Sequence, residues 1–248
     1  MGNKMASNSS NSSRAINLNQ AKEAQKSAVS SSGERKLKIL CLHGWRTSGK
    51  IFNMQLAALR HNTGIDCEYI DAPYPAGGPP DSGIETFYPP EFNDYFQWNR
   101  EVDPNSEDSN HDSDGMTEST DLIMNHIQKY GPYDGLMGFS QGAAMVTRIA
   151  LLLQSFPSQN IKFLILIGGV TPNESHFNLS KNTSLKPIDL PSLHLMGKED
   201  PYFKKSQRLY SEYYNPLTSQ LLEHSEAHNI PSIRTNLYPS IKNWLHQF

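Results

Sequence analysis

A serine framed by two glycines, Gly138-Phe139-Ser140-Gln141-Gly142, is the part of this sequence with the plainest capacity for chemistry. It follows a short strand-like run, Gly135 to Phe139, and opens a long helix-like run. At a sharp strand-to-helix turn a serine is pushed out of the backbone and its hydroxyl becomes accessible. Glycines are needed on both sides, because any side chain there would strike the neighbouring strand or helix. The N–H groups of the helix start behind the serine point at an oxyanion forming on a bound acyl group. The chemistry implied is nucleophilic acyl transfer. A neutral hydroxyl is a poor nucleophile, so it needs a base. That base is usually a histidine oriented by a buried carboxylate.

Both partners have candidates further along. A strand-like run, Ser192 to Met196, ends in Gly197-Lys198-Glu199-Asp200-Pro201. Asp200 is the preferred acid, since Glu199 beside it points another way and Asp189 lies before the strand, at the wrong end of a sheet. An aspartate here also fits a plain helix N-cap. The next strand-like run, Ser219 to Glu223, leads into His224-Ser225-Glu226-Ala227-His228. His228 lies well out on the loop and has the reach to approach Ser140; His224, close to the strand end, is its competitor. An oxyanion hole needs two backbone N–H groups. Gln141 supplies one, and the loop Leu42-His43-Gly44-Trp45 supplies the other from Trp45, with Arg46 as the alternative donor. His43 fits a bracing role in that loop. No metal ligand set and no organic cofactor is called for, because a serine, a histidine and a carboxylate complete such a cycle alone.

Those residues must be placed by the elements between them. From residue 36 onward, strand-like and helix-like runs alternate. Strands are expected at Leu37 to Leu42, Cys67 to Ile70, Gly135 to Phe139, Ile161 to Ile167, Ser192 to Met196 and Ser219 to Glu223. Helices are expected at Lys50 to His61, Thr117 to Tyr130, Gln141 to Ser155, Tyr202 to Tyr214 and Pro239 to Gln247. The pattern predicts an α/β fold, a mostly parallel doubly wound sheet with helices on both faces. In such sheets ligands bind at the carboxyl ends of the strands. A Pro- and Gly-rich stretch, Ala72 to Pro90, leads into a dense aromatic patch. Phe87, Tyr88, Phe92, Phe96 and Trp98 are read as a pocket wall for an apolar substrate group, the alternative being aromatics that fill a loop.

Composition narrows the classes. The 248 residues suit one large α/β domain at 36–248. Apolar residues make up only 37%, and the deficit is concentrated in a Ser/Asn-rich tail, 1–35, and an acidic stretch at about 101–116. The first reads as disordered and the second as a mobile solvated loop. A net charge of −3 offers no basic field for nucleic acid. No apolar run reaches the ~18 residues a membrane span needs. Cys41 and Cys67 read as small buried hydrophobes in a reducing compartment. A cytoplasmic location follows, with nuclear access open and organelle targeting by the tail as the alternative. Oligomeric state is not legible.

Taken together, Leu40-Cys41-Leu42-His43-Gly44, Asp71-Ala72-Pro73, Gly138-Phe139-Ser140-Gln141-Gly142-Ala143, Leu195-Met196-Gly197-Lys198-Glu199-Asp200 and His224 to Pro231 resemble the eukaryotic serine hydrolase family called FSH, a branch of the α/β-hydrolase superfamily. The similarity covers about residues 36 to 245. Its members are carboxylesterases or thioesterases, including the ovarian-cancer-associated esterase of animals and thioesterases of fungal polyketide pathways. The resemblance implies the α/β-hydrolase fold, a small-molecule ester or thioester substrate with an apolar acyl group, and a triad of Ser140, Asp200 and His228. In one respect the sequence departs. The family usually has two glycines before its histidine, where this chain has Glu226 and Ala227. These require more ordinary backbone angles and add a negative charge beside the base. The departure keeps open a second function, a ligand-binding or sensing protein on a hydrolase scaffold with little turnover. A third reading, a phosphate-binding loop at Gly44-Trp45-Arg46-Thr47-Ser48-Gly49-Lys50, lacks the hydroxyl that magnesium requires, since Ile51 stands in its place.

Overall fold

The strand residues divide between two cores by simple alternation. Successive side chains of a strand point to opposite faces. In β1 (Lys38–Leu42), Leu40 and Leu42 pack into one core and Ile39 and Cys41 into the other. The same parity holds in β5 (Gly135–Phe139) and β6 (Phe163–Ile167), where Leu136, Leu164 and Leu166 face one way and Met137, Phe163, Ile165 and Ile167 the other. Both faces are covered, so these strands read as unbroken apolar runs, as parallel strands do.

The computed structural model describes residues 35–80, 82–88, 95–100, 115–155, 160–171 and 186–248. The tail (through residue 34), the acidic run from Glu101 to Asp114, and Phe92 lie outside the described residues. All elements described here fall in one compact unit, Lys36–Phe248. Six strands form one parallel sheet in the order β2-β1-β5-β6-β7-β8, with β2 at Asp66–Ile70, β7 at Ser192–Gly197 and β8 at Ser219–His224. One face carries α4 (Met116–Tyr130), α5 (Gln141–Ser155) and α6 (Phe203–Tyr213), which bury Ile123, Ile127, Val146, Ile149 and Leu209. The other carries α1 (Gly49–Gln55), α2 (Ala57–Thr63) and α7 (Tyr238–Leu245), with Phe52, Leu56, Leu59, Ile241 and Trp244 inward. No helix among the described residues is long and apolar enough to cross a membrane. Cys41 and Cys67 are free thiols, and burial pushes that of Cys41 up.

The expected helix from Lys50 to His61 is two helices, broken at Leu56. Ser48 caps the first, its hydroxyl accepting from the Ile51 N–H at 3.3 Å, while the Gly49 N–H donates to the Asp71 carboxylate at 2.7 Å. Donors that a phosphate-binding loop would turn toward an anion are therefore spent on the chain's own side chains. Two pieces of the aromatic stretch are ordered in ways the sequence did not suggest. Tyr74–Pro75 (β3) pairs antiparallel with Phe96–Gln97 (β4), and Ser82–Phe87 (α3) forms a short helix between them.

Candidate active site

Ser140 sits between β5 and α5 with φ 54°, a left-handed conformation uncommon for any residue but glycine. This is the strained turn that lifts a serine hydroxyl clear of the backbone. The turn demands its glycines. A Cβ on Gly142 would come within 2.1 Å of the Leu42 carbonyl oxygen, and one on Gly138 within 2.4 Å of the Gly142 backbone. The Ser140 N–H is tied to the Ile167 carbonyl at 2.9 Å, which joins the turn to the end of β6.

Asp200 and His228 come from the turns after β7 and β8, and both reach this serine. The Ser140 hydroxyl donates to His228 Nε2 at 2.9 Å. His228 Nδ1 in turn donates to Asp200 Oδ2 at 2.6 Å. The remaining Asp200 oxygen accepts from the Tyr202 N–H at 2.6 Å, so the carboxylate is held at both oxygens and is nearly buried. Helix α6 begins at Phe203 with Tyr202 as its N-cap, so Asp200 is not the plain N-cap the sequence also allowed, and it serves the turn and the imidazole together. Close approach of the two turns rests on Gly197, where a Cβ would lie 2.2 Å from the Glu226 carbonyl oxygen. The imidazole lies against the Phe139 ring at 4.8 Å and meets the Tyr202 ring edge-on at 5.0 Å. His224, the competing histidine, is buried at the end of β8 and accepts from the Glu226 N–H at 3.3 Å. Burial lowers its pKa. Asp189 pairs with Asn215, well before the site, and Glu199 is exposed.

Beside the serine, the loop after β1 is locked from within. His43 is fully buried, donates from Nδ1 to the Gly44 carbonyl at 2.7 Å and accepts at Nε2 from the Ala72 N–H at 3.0 Å. Burial holds its pKa down to about 4. Trp45 borders the cavity above Ser140, whereas Arg46 folds its guanidinium over the Trp45 ring at 4.3 Å and donates to the Pro79 carbonyl at 3.0 Å. Gln141 is the first residue of α5, so its N–H has no acceptor within the helix. Its side chain accepts from the Trp98 N–H at 3.0 Å and donates to Asn99, binding the segment after β4 to the serine turn.

A cavity of about 1110 Å³ opens over these groups. Phe87 and Tyr88 line it, as the sequence suggested, together with Ile84, Met116 and Met145. Two other aromatics are placed differently. Trp98 is fully buried and donates its indole N–H to the His43 carbonyl at 2.8 Å, and Phe96 packs against the core from β4; neither borders the cavity. A loop without periodicity gives no sign of which aromatic faces inward. Residues that the sequence reading passed over also shape the site. Gly168 follows β6 with φ 51°, and a Cβ there would lie 3.1 Å from the imidazole of His228. Tyr202, Lys204, Lys205 and Arg208 line the cavity from α6 and the turn before it. The only available signal was their position directly after Asp200. Among the described residues, no group of three or more histidines, cysteines and carboxylates is placed to hold a metal ion.

Comparison with known proteins gives the family and the architecture. A family model described as serine hydrolase (FSH1) matches residues 31–238. The esterase FPY3 of Fusarium mangiferae is 30% identical over 210 residues, covering 79% of this chain and 89% of that protein. The esterase OVCA2 of Xenopus tropicalis is 32% identical over 212 residues, covering 80% and 88%. Among solved structures, acyl-protein thioesterase 2 of Zea mays superposes with a TM-score of 0.56 at 21% identity, covering 87% of this chain and 95% of that one. That likeness establishes the α/β-hydrolase fold.

Proposed function

The chain belongs to the FSH1 serine hydrolase family, and from that premise we propose that it cleaves carboxylic esters or thioesters with an apolar acyl group through an acyl-enzyme on Ser140. The observation that carries this reading is the unbroken line of hydrogen bonds from Ser140 through His228 to Asp200, at 2.9 and 2.6 Å. With Nδ1 donating to a carboxylate, Nε2 is left bare to take the serine proton. Ser140 Oγ attacks the acyl carbon as that proton moves to Nε2, and Asp200 stabilises the imidazolium that results. The oxyanion is held by the backbone N–H groups of Gln141 and Trp45. His228 then gives its proton to the leaving oxygen or sulfur. In the second half, water attacks the acyl-enzyme by the same route and releases the acid. The apolar side chains of Ile84, Phe87, Met116 and Met145 supply the wall against which an acyl chain rests.

The test is turnover of a p-nitrophenyl ester together with covalent labelling by a fluorophosphonate. Wild type turns over and labels at neutral pH, and Ser140→Ala does neither while unfolding at the same temperature. Near-normal turnover by Ser140→Ala would overturn the assignment. A wild type that fails to label would mark the molecule as a binding protein on a hydrolase scaffold.

A further inference from the structure

The cavity walls are unlike in charge. Its apolar groups come from α3, α4 and α5 and from Trp45, Phe139, Val170, Tyr202 and Ile230 in strand ends and loops, whereas α6 presents Lys204, Lys205 and Arg208. Arg208 is paired with Glu212 at 2.8 Å. Among the described residues, neither Lys204 nor Lys205 has a carboxylate within ion-pair distance. Glu226 is the one carboxylate among the described lining residues, and both its oxygens already accept from Ser232. In a chain whose net charge is −3, two lysines are thus left uncompensated at the site.

Their position says which part of a substrate they meet. His228 must hand its proton to the leaving atom, so the leaving arm passes over the imidazole. Tyr202 flanks that imidazole at 5.0 Å, and the Lys205 ammonium lies over the same tyrosine ring at 5.1 Å. The Lys205 ammonium therefore stands one ring away from the general acid, and Lys204 lines the cavity beside it on the same helix, which contributes none of the apolar wall. We propose that Lys204 and Lys205 seat an anionic group, a carboxylate or a phosphate, carried on the leaving arm of the substrate. This rests on the ester-cleaving reading above and names the substrate class within it. The acyl arm is apolar and the departing alcohol or thiol is anionic.

The experiment compares three octanoyl esters that differ only in the para substituent of the departing phenol: 4-hydroxybenzamide, which is neutral, 4-hydroxybenzoate and 4-hydroxyphenyl phosphate. The readout is the ratio of kcat/KM for each anionic ester to that for the neutral one, in the full chain and in the double variant Lys204→Glu, Lys205→Glu. Dividing variant by wild type removes the intrinsic reactivity of each phenol. The ratio is expected to fall about tenfold or more in the variant, and in wild type to fall as salt is raised. A larger fall for the phosphate ester identifies phosphate as the group, and a larger fall for the benzoate ester identifies carboxylate. A ratio equal in variant and wild type for both anionic esters overturns the proposal while leaving ester cleavage standing. A wild type that hydrolyses none of the three overturns both.

Discussion

The loops after β1 and β8 each carry a histidine held at both ring nitrogens. His43 is fully buried, donates to a neutral carbonyl and accepts from a backbone N–H. His228 is partly exposed, donates to a carboxylate and accepts from a hydroxyl. A proton arriving at Nε2 of His43 would displace the Ala72 N–H and leave a buried cation facing a carbonyl. The same proton arriving at His228 comes from the very hydroxyl it bonds, and the resulting charge is met by Asp200. Residue type does not separate these two rings. Their partners do: only an acceptor that can take charge and a donor that can lose its proton make a base.

The largest expected effect falls on the second loop. His228→Ala should lower kcat on the order of 10³-fold or more, with little change in the unfolding midpoint, because the side chain is partly exposed. Asp200→Asn should cost a comparable factor, since an amide turns a donor toward Nδ1 and favours the wrong tautomer. Steady-state kinetics on purified variants checks both. Near-normal rates in His228→Ala would erase the contrast between the two loops.

The first loop should answer in stability. His43→Ala leaves the Ala72 N–H without its partner in a dry site, at about 1–3 kcal/mol for the unmet group, while the Gly44 carbonyl loses one donor and keeps the Thr47 hydroxyl at 3.0 Å. Urea unfolding should show the loss, and the fall in kcat should stay below the ~10² that removing a whole oxyanion donor costs. Acid sharpens the difference. Burial holds His43 at about 4 and His194 at about 3, below the ~6.5 of an exposed imidazole. Because these folded-state values are depressed, the unfolded chain binds more protons once pH drops under ~6.5. Stability is full above that pH and declines as pH falls toward about 4 for His43 and about 3 for His194. The urea midpoint should fall across that window in wild type and fall less steeply in His43→Ala.

What the sequence made legible was whatever depends on order along the chain. The strands are where the apolar runs are, within a residue or two, and the serine turn follows from Gly138, Ser140 and Gly142 with no further information. Asp200 and His228 were reachable because parallel topology sends successive strand ends to one edge. Where facing rather than order decides, the sequence was mute. Leu56 continues the apolar stripe of Phe52 and Leu59, so nothing in the pattern announces that the helix breaks there. Phe87 is mostly exposed and Trp98 wholly buried, although both belong to the same aromatic run. Trp98 is drawn in by an indole hydrogen bond to His43, a residue more than fifty positions away. No local periodicity encodes a partner at that separation.

Glu226 extends the contrast to the way each loop is held. The His43 loop is fastened through the ring itself, whereas the His228 loop is fastened beside it. Glu226 accepts from the Ser232 N–H at 2.9 Å and from the Ser232 hydroxyl, closing the loop at its base. It stands where a glycine is usual in the family, yet neither it nor Ala227 is among the residues of positive φ, so the backbone there is ordinary. Burial pushes the Glu226 pKa up, but the two bonds from Ser232 outweigh it and hold it below the usual carboxylate value. The clamp is therefore fully present above pH ~4.3 and is lost as pH falls through the lowered value. Glu226→Ala should cost about 1 kcal/mol, because the group is partly solvated and water can replace it. It should lower kcat only a few-fold, through looser placement of His228, and leave KM for a neutral ester unchanged. A drop in kcat as large as that of His228→Ala would instead give Glu226 a part in the chemistry. No drop at all would mean that the loop is held by Gly197 and Asp200 alone.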